Sequence, residues 1–74
     1  MCLGVPGKII AILDNQMAAA DVDGNQVEIS IALLPEVEKE QYVLIHAGFA
    51  MDIITDEIAE ETMYYLKELQ KYAN

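Results

Sequence analysis

The chain has no second cysteine: Cys2 is the only one in 74 residues. A single thiol cannot close an internal disulfide, so the staple on which many small secreted domains depend is missing. There is no arginine either. Four lysines face thirteen acidic residues, for a formal net charge of −9. Phosphate backbones demand the opposite sign, which argues against nucleic acid and against an anionic membrane surface as partners. No apolar run approaches the roughly 20 residues of a membrane span. The run Ile9 to Leu13 after Lys8 is short and lacks a cleavage-site pattern, so no secretory signal is expected and the cytoplasm is the expected compartment. Gly4 and Gly7 lack the Lys-Ser/Thr of a phosphate-binding loop. There is no internal repeat and no low-complexity linker.

What is present is a hydrophobic fraction of 54% in a length that fits one domain. A chain this short buries only about 60% of its unfolded surface, so its core must form without covalent help. Gly4, Pro6 and Gly7 predict a broken, non-helical opening segment. Lys8 to Leu13 reads as a strand rich in β-branched residues, ended by the turn signal Asp14-Asn15. Met17 to Val22 and Gln26 to Ala32 flank Asp23-Gly24, a hairpin signal because both residues tolerate positive φ. Val27, Ile29 and Ile31 alternate with Gln26, Glu28 and Ser30, the period of a half-buried antiparallel strand. Leu33-Leu34-Pro35 ends that strand, and Glu36 to Glu40 is a charged connection with room for a short helical turn. Gln41 to Ala47 and Phe49 to Ile54 read as two further strands interrupted at Gly48.

The last third changes character. Thr55 or Asp56 caps a helix, with acids crowding its start and Lys67 and Lys71 near its end, as the helix dipole favours. Ile58, Thr62, Tyr65, Leu66, Leu69 and Ala73 form a less polar stripe, widened by Met63 and Tyr64. The expected fold is mainly β: a small closed barrel of about five strands with a C-terminal α-helix, since closure removes exposed edges.

Two residues stand out chemically. Thiolate is a nucleophile and a soft metal ligand, and Cys2 stands at a terminus, where chain is usually reachable. His46 is the single imidazole, on the opposite strand face from Val43 and Ile45 and just before Gly48. Structural zinc takes four protein ligands, so a metal held by this chain must complete its shell from elsewhere. A Cys–His nucleophile pair is conceivable. A barrel this small is filled by its own side chains and leaves no substrate cleft, so a thiol enzyme ranks last and no catalytic activity is expected. A histidine in a strand is more often structural or merely exposed than a ligand. Most of the carboxylates are solvated faces. Phe49 and Met51 read as core residues, or alternatively as an apolar interface patch beside His46.

Two segments resemble a known family. Met1-Cys2-Leu3-Gly4-Val5-Pro6-Gly7 matches the N-terminal signature of the HypC/HupF family of hydrogenase maturation chaperones. Tyr42-Val43-Leu44-Ile45-His46-Ala47-Gly48-Phe49-Ala50 is similar to its second hallmark, a strand ending in His-x-Gly-Phe-Ala. The resemblance implies one HypC-like domain over 1–74: an OB-like barrel over 1–54 with a flexible N-terminal cysteine tip, and a helix over 55–74. It implies a metallochaperone that carries or scaffolds the Fe(CN)2CO unit of nickel–iron hydrogenases. The implied partners are HypD, HypE through the HypD complex, and the precursor of the hydrogenase large subunit. By resemblance, Cys2 and His46 meet the iron, transiently and shared with a partner. Cys2, Leu3, Gly4, Val5, Pro6, Gly7 and Phe49 are the implied partner contacts. The alternative expectation is a chaperone that keeps the large-subunit precursor open and carries no iron itself. Removal of Met1 is a further expectation, because cysteine is small.

Overall fold

The structure is a computed structural model, and it describes residues 4–71. The expectations for Cys2 and Leu3, and those for residues 72–74 of the helix, lie outside the described residues. Five strands close into a barrel: β1 (Val5–Ile12), β2 (Met17–Val22), β3 (Asn25–Ser30), β4 (Tyr42–His46) and β5 (Phe49–Ile54). Around the barrel the order is β1-β2-β3-β5-β4, and one helix, α1 (Asp56–Lys71), follows. The mainly β barrel with a C-terminal helix is therefore as expected.

Local chemistry sets the hairpins. At each of three turns two successive residues take positive φ: Asn15 and Gln16, Asp23 and Gly24, and Ala47 and Gly48. Such turns carry the twist that neighbouring antiparallel strands require. Asn, Asp and Gly tolerate that region, whereas Gln16, at φ 60°, and Ala47, at φ 54°, adopt it against their own Cβ.

The opening segment differs from the expectation. Strand β1 begins at Val5, not Lys8, and contains both Pro6 and Gly7. Val5 to Lys8 pair with β4, whereas pairing with β2 starts only at Lys8. Pro6 thus stands where β1 has a neighbour on one side alone, and its missing N–H costs no ladder bond. Strand β3 also ends earlier, at Ser30. The chain then makes consecutive tight turns, with Leu34 N–H donating to Ile31 O and Val37 N–H to Leu34 O, both at 3.0 Å. The three-residue step sends Ile31, Leu34 and Val37 into the core together. Val37 is thus a buried anchor inside a charged connection.

The core is built from Ile9, Ala18, Ala20, Ile29 and Val43 with those three anchors and Ala50. Helix α1 starts on Thr55, whose Oγ1 accepts the Ile58 N–H at 3.1 Å. It lies against β1 and β4. Its buried residue is Ala59, with Thr62, Met63 and Leu66 half-buried. Ile58, Tyr65 and Leu69 of the expected stripe stay exposed, as does Tyr64. The small side chain of Ala59 lets the helix approach, and the contact face is turned by about one position from the bulkiest residues.

Candidate functional site

His46 is the last residue of β4, and the Ala47–Gly48 turn pairs it with Phe49, the first of β5. The turn is tied sideways as well. The Ser30 N–H donates to Gly48 O at 2.8 Å, beside the single β3–β5 pair Ser30↔Phe49. His46 therefore rides on a tight, twice-anchored turn and faces solvent. Phe49 is also exposed, at 44%, as is Met51, at 49%. Of the two roles open to this pair, the structure gives them the exposed patch rather than the core.

The segment that leads to Cys2 meets this end of the barrel. In the β1–β4 ladder Val5 stands opposite Ile45 and Pro6 opposite Leu44. Gly4 is the residue before Val5, just as His46 is the residue after Ile45. Gly4 lies against the Leu44 side chain, and a Cβ there would drive into Leu44 Cγ. Pro6 and Gly7 are buried, and Val5 and Gly4 half-buried. The loose tip expected through Gly7 is thus strand from Val5 onward. Cys2 and Leu3, the first of the expected contact residues, lie outside the described residues.

Around Gly4 the surface is apolar. A groove of about 330 Å³ is bounded by Gly4, Leu44, Thr62, Tyr65, Leu66 and Leu69. Its helix side carries the two exposed side chains Tyr65 and Leu69. Sequence reading placed these residues on the helix's less polar stripe but not beside the N-terminal segment. The helical spacing was the available signal, and only the docking angle of α1 determines what the stripe flanks.

A self-contained metal centre is missing among the described residues: no group of three or more His, Cys, Asp and Glu there could hold an ion. His46 brings one nitrogen. Nor is any helix there long and apolar enough to cross a membrane. Two exposed ion pairs, Lys8–Glu40 at 3.7 Å and Lys67–Asp23 at 3.3 Å, tie loops to the barrel and helix.

Comparison with known proteins matches residues 1–66 to the HupF/HypC family. A hydrogenase maturation factor HypC of Synechocystis is 35% identical over 74 residues, covering 93% of this chain and 97% of its own. A HypC of Azotobacter chroococcum is 37% identical, covering 99% and 87%. The hydrogenase maturation factor HybG of Escherichia coli K12 is 37% identical, covering 93% and 92%.

Proposed function

The chain belongs to the HupF/HypC family of hydrogenase maturation factors, and from that premise we propose that it handles the Fe(CN)2CO unit through Cys2 and His46. The observation that carries the reading is the β1–β4 register. Val5 opposite Ile45 leads the chain from Cys2 to the strand end that presents His46. Consecutive Cα atoms are about 3.8 Å apart, so Cys2 is tethered within about 7.6 Å of Gly4. A thiolate and an imidazole on one end of a barrel supply two ligands at most.

Two ligands hold a cargo incompletely, and that suits a carrier. Low-spin iron bearing cyanide and carbonyl is a soft centre, matched to thiolate. A partner thiolate from HypD completes the shell while the unit is assembled. The precursor of the hydrogenase large subunit later replaces it by ligand exchange, with HypE acting through the HypD complex. The protein's own part is to hold the thiol close to His46 and to offer apolar surface, Phe49 and the Gly4–Leu69 groove, to each partner in turn. No bond of the protein is made or broken beyond metal–ligand exchange, which fits a factor rather than an enzyme. The setting is the cytoplasm.

A second reading rests on the groove itself. Tyr65 and Leu69 beside Gly4 offer the apolar surface that a client-binding chaperone needs, with Cys2 gripping the client and no iron aboard. Both readings require the thiol. In a strain lacking its own copy of the gene, Cys2→Ala is expected to abolish hydrogenase activity and large-subunit processing, while the purified variant keeps the wild-type circular dichroism spectrum. Normal hydrogenase activity with Cys2→Ala would contradict both. Iron that travels with this chain separates them.

A further inference from the structure

The barrel has one thin seam. Strand β3 pairs with β2 along its whole length, from Asn25 to Ser30. On its other side it meets β5 at a single pair, Ser30↔Phe49. The two-residue turn Asp23–Gly24 makes Val22 and Asn25 a hydrogen-bonded pair, so Asn25, Val27 and Ile29 bond to β2. Gln26, Glu28 and Ser30 then direct their N–H and C=O groups to the other side. The Ser30 N–H bond to Gly48 O confirms that parity. Among the described residues no strand pairs with β3 at Gln26 or Glu28 on that side.

Side-chain exposure reports the same gap independently. Val27 stands opposite Ala20 and shares a strand face with Ile29. Ala20 is 0% exposed and Ile29 2%, yet Val27 is 39% exposed. An inward-facing valine is left uncovered because the wall beside it is missing. Next to it runs an apolar groove of about 340 Å³, bounded by Val5, Val22, Val27, Ile29, Ile45 and Ala47.

We propose that the Gln26–Glu28 edge of β3 is a strand-addition site that takes an extended segment of a partner protein, alternating apolar and basic side chains. The outward amides and carbonyls of Gln26 and Glu28 supply the ladder, as in other sheet edges that capture peptides. The apolar side chains of the segment enter the groove over Val27. Its lysines or arginines meet the Glu28 side chain, which is exposed on this edge. Charge selects this occupant over a second copy of the chain, because β3–β3 pairing would bring together two edges that each carry Glu28, on molecules of net charge −9. The proposal rests on the β3 edge and its groove and not on the role given to the thiol.

The test uses the full chain and a synthetic peptide of about six residues alternating lysine and valine, capped at both ends, the strand length common in sheets. Amide chemical shifts and hydrogen exchange are followed by NMR. The expected result is saturable perturbation centred on Gln26, Val27 and Glu28, with slowed exchange of the Gln26 and Glu28 amides. A peptide of the same sequence with alternate N-methylated residues, which cannot extend a ladder, is expected to bind about tenfold more weakly, equivalent to about 1.4 kcal/mol. Glu28→Pro removes the outward N–H and leaves the β2 ladder intact, so it too is expected to lose about tenfold. Val27→Lys opposes the basic peptide by charge and serves should the proline variant not fold. Equal binding of the N-methylated peptide, perturbation confined to the acidic helix, or no perturbation of residues 26–28 would overturn the proposal. Concentration-dependent shifts at those residues without peptide would overturn it in favour of self-association.

Discussion

Gly7 shows how tightly the N-terminal segment is built into the barrel. A Cβ at this position would meet Ile45 Cδ1 at 2.7 Å and Val22 Cγ2 at 3.0 Å. Ile45 Cδ1 is the end of a side chain that borders an open groove and can turn aside, whereas the Asp21 carbonyl oxygen, at 3.4 Å, is backbone and cannot. Gly7→Ala is expected to destabilise the fold by about 1 kcal/mol, the lower end of the cost of overpacking, because the Ile45 side chain must shift to make room. Urea unfolding checks this: the midpoint falls while the slope stays that of wild type. An unchanged midpoint would mean that β1 gives way at Gly7, and that the segment before it is looser than its register implies. The sequence marks Gly4, Pro6 and Gly7 as a broken segment, because proline lacks an N–H and glycine admits unusual dihedrals. What it could not contain was the pairing context. Only a half-paired strand tolerates Pro6, and only close wall-to-wall packing requires Gly7. The exposed His46, by contrast, was legible: its alternation with Val43 and Ile45 and the following Gly48 place it outward at a strand end.

The elements were legible where local chemistry decides them. The Asp23–Gly24 hairpin, the period of two in β3 and the Thr55 cap all follow from residue preferences within a few positions. Two turn residues are exceptions, Gln16 and Ala47, which have no such preference and are held by their surroundings. A left-handed conformation costs an ordinary residue roughly 1–2 kcal/mol, and asparagine far less. Ala47→Asn is therefore expected to stabilise the protein by about 0.5–1 kcal/mol, a rise in melting temperature of about 2–6 °C for a domain of this size. Thermal unfolding followed by circular dichroism measures it. A fall in melting temperature would mean that the Ala47 methyl, which borders the β3 seam groove, contributes more packing than the turn loses in strain. The docking face of α1 was only half legible. Spacing identified the stripe, but the bulky residues that define it, Tyr65 and Leu69, border the groove instead of filling the interface. The contact goes to Ala59, whose small size carries no signal in a hydrophobicity pattern.

At the scale of the whole molecule, closure brings together parts that are distant in sequence. The opening residues lie along β4, the β4–β5 turn is bonded to Ser30, and the helix forms one side of the groove at Gly4. None of these neighbours could be read from spacing, because they depend on barrel order and shear. Two surfaces result: the end bearing His46, with Phe49 and the Gly4 groove around it, and the open β3 edge. The central claim concerns the first, that an iron unit travels on this chain between Cys2 and His46. The most direct measurement is infrared spectroscopy of the protein purified anaerobically after co-expression with HypD, as wild type, Cys2→Ala and His46→Ala. The account predicts cyanide and carbonyl bands that accompany the wild-type chain, vanish with Cys2→Ala and weaken with His46→Ala while partner binding persists. A wild-type chain that still forms its complex with the large-subunit precursor but carries none of these bands would contradict it.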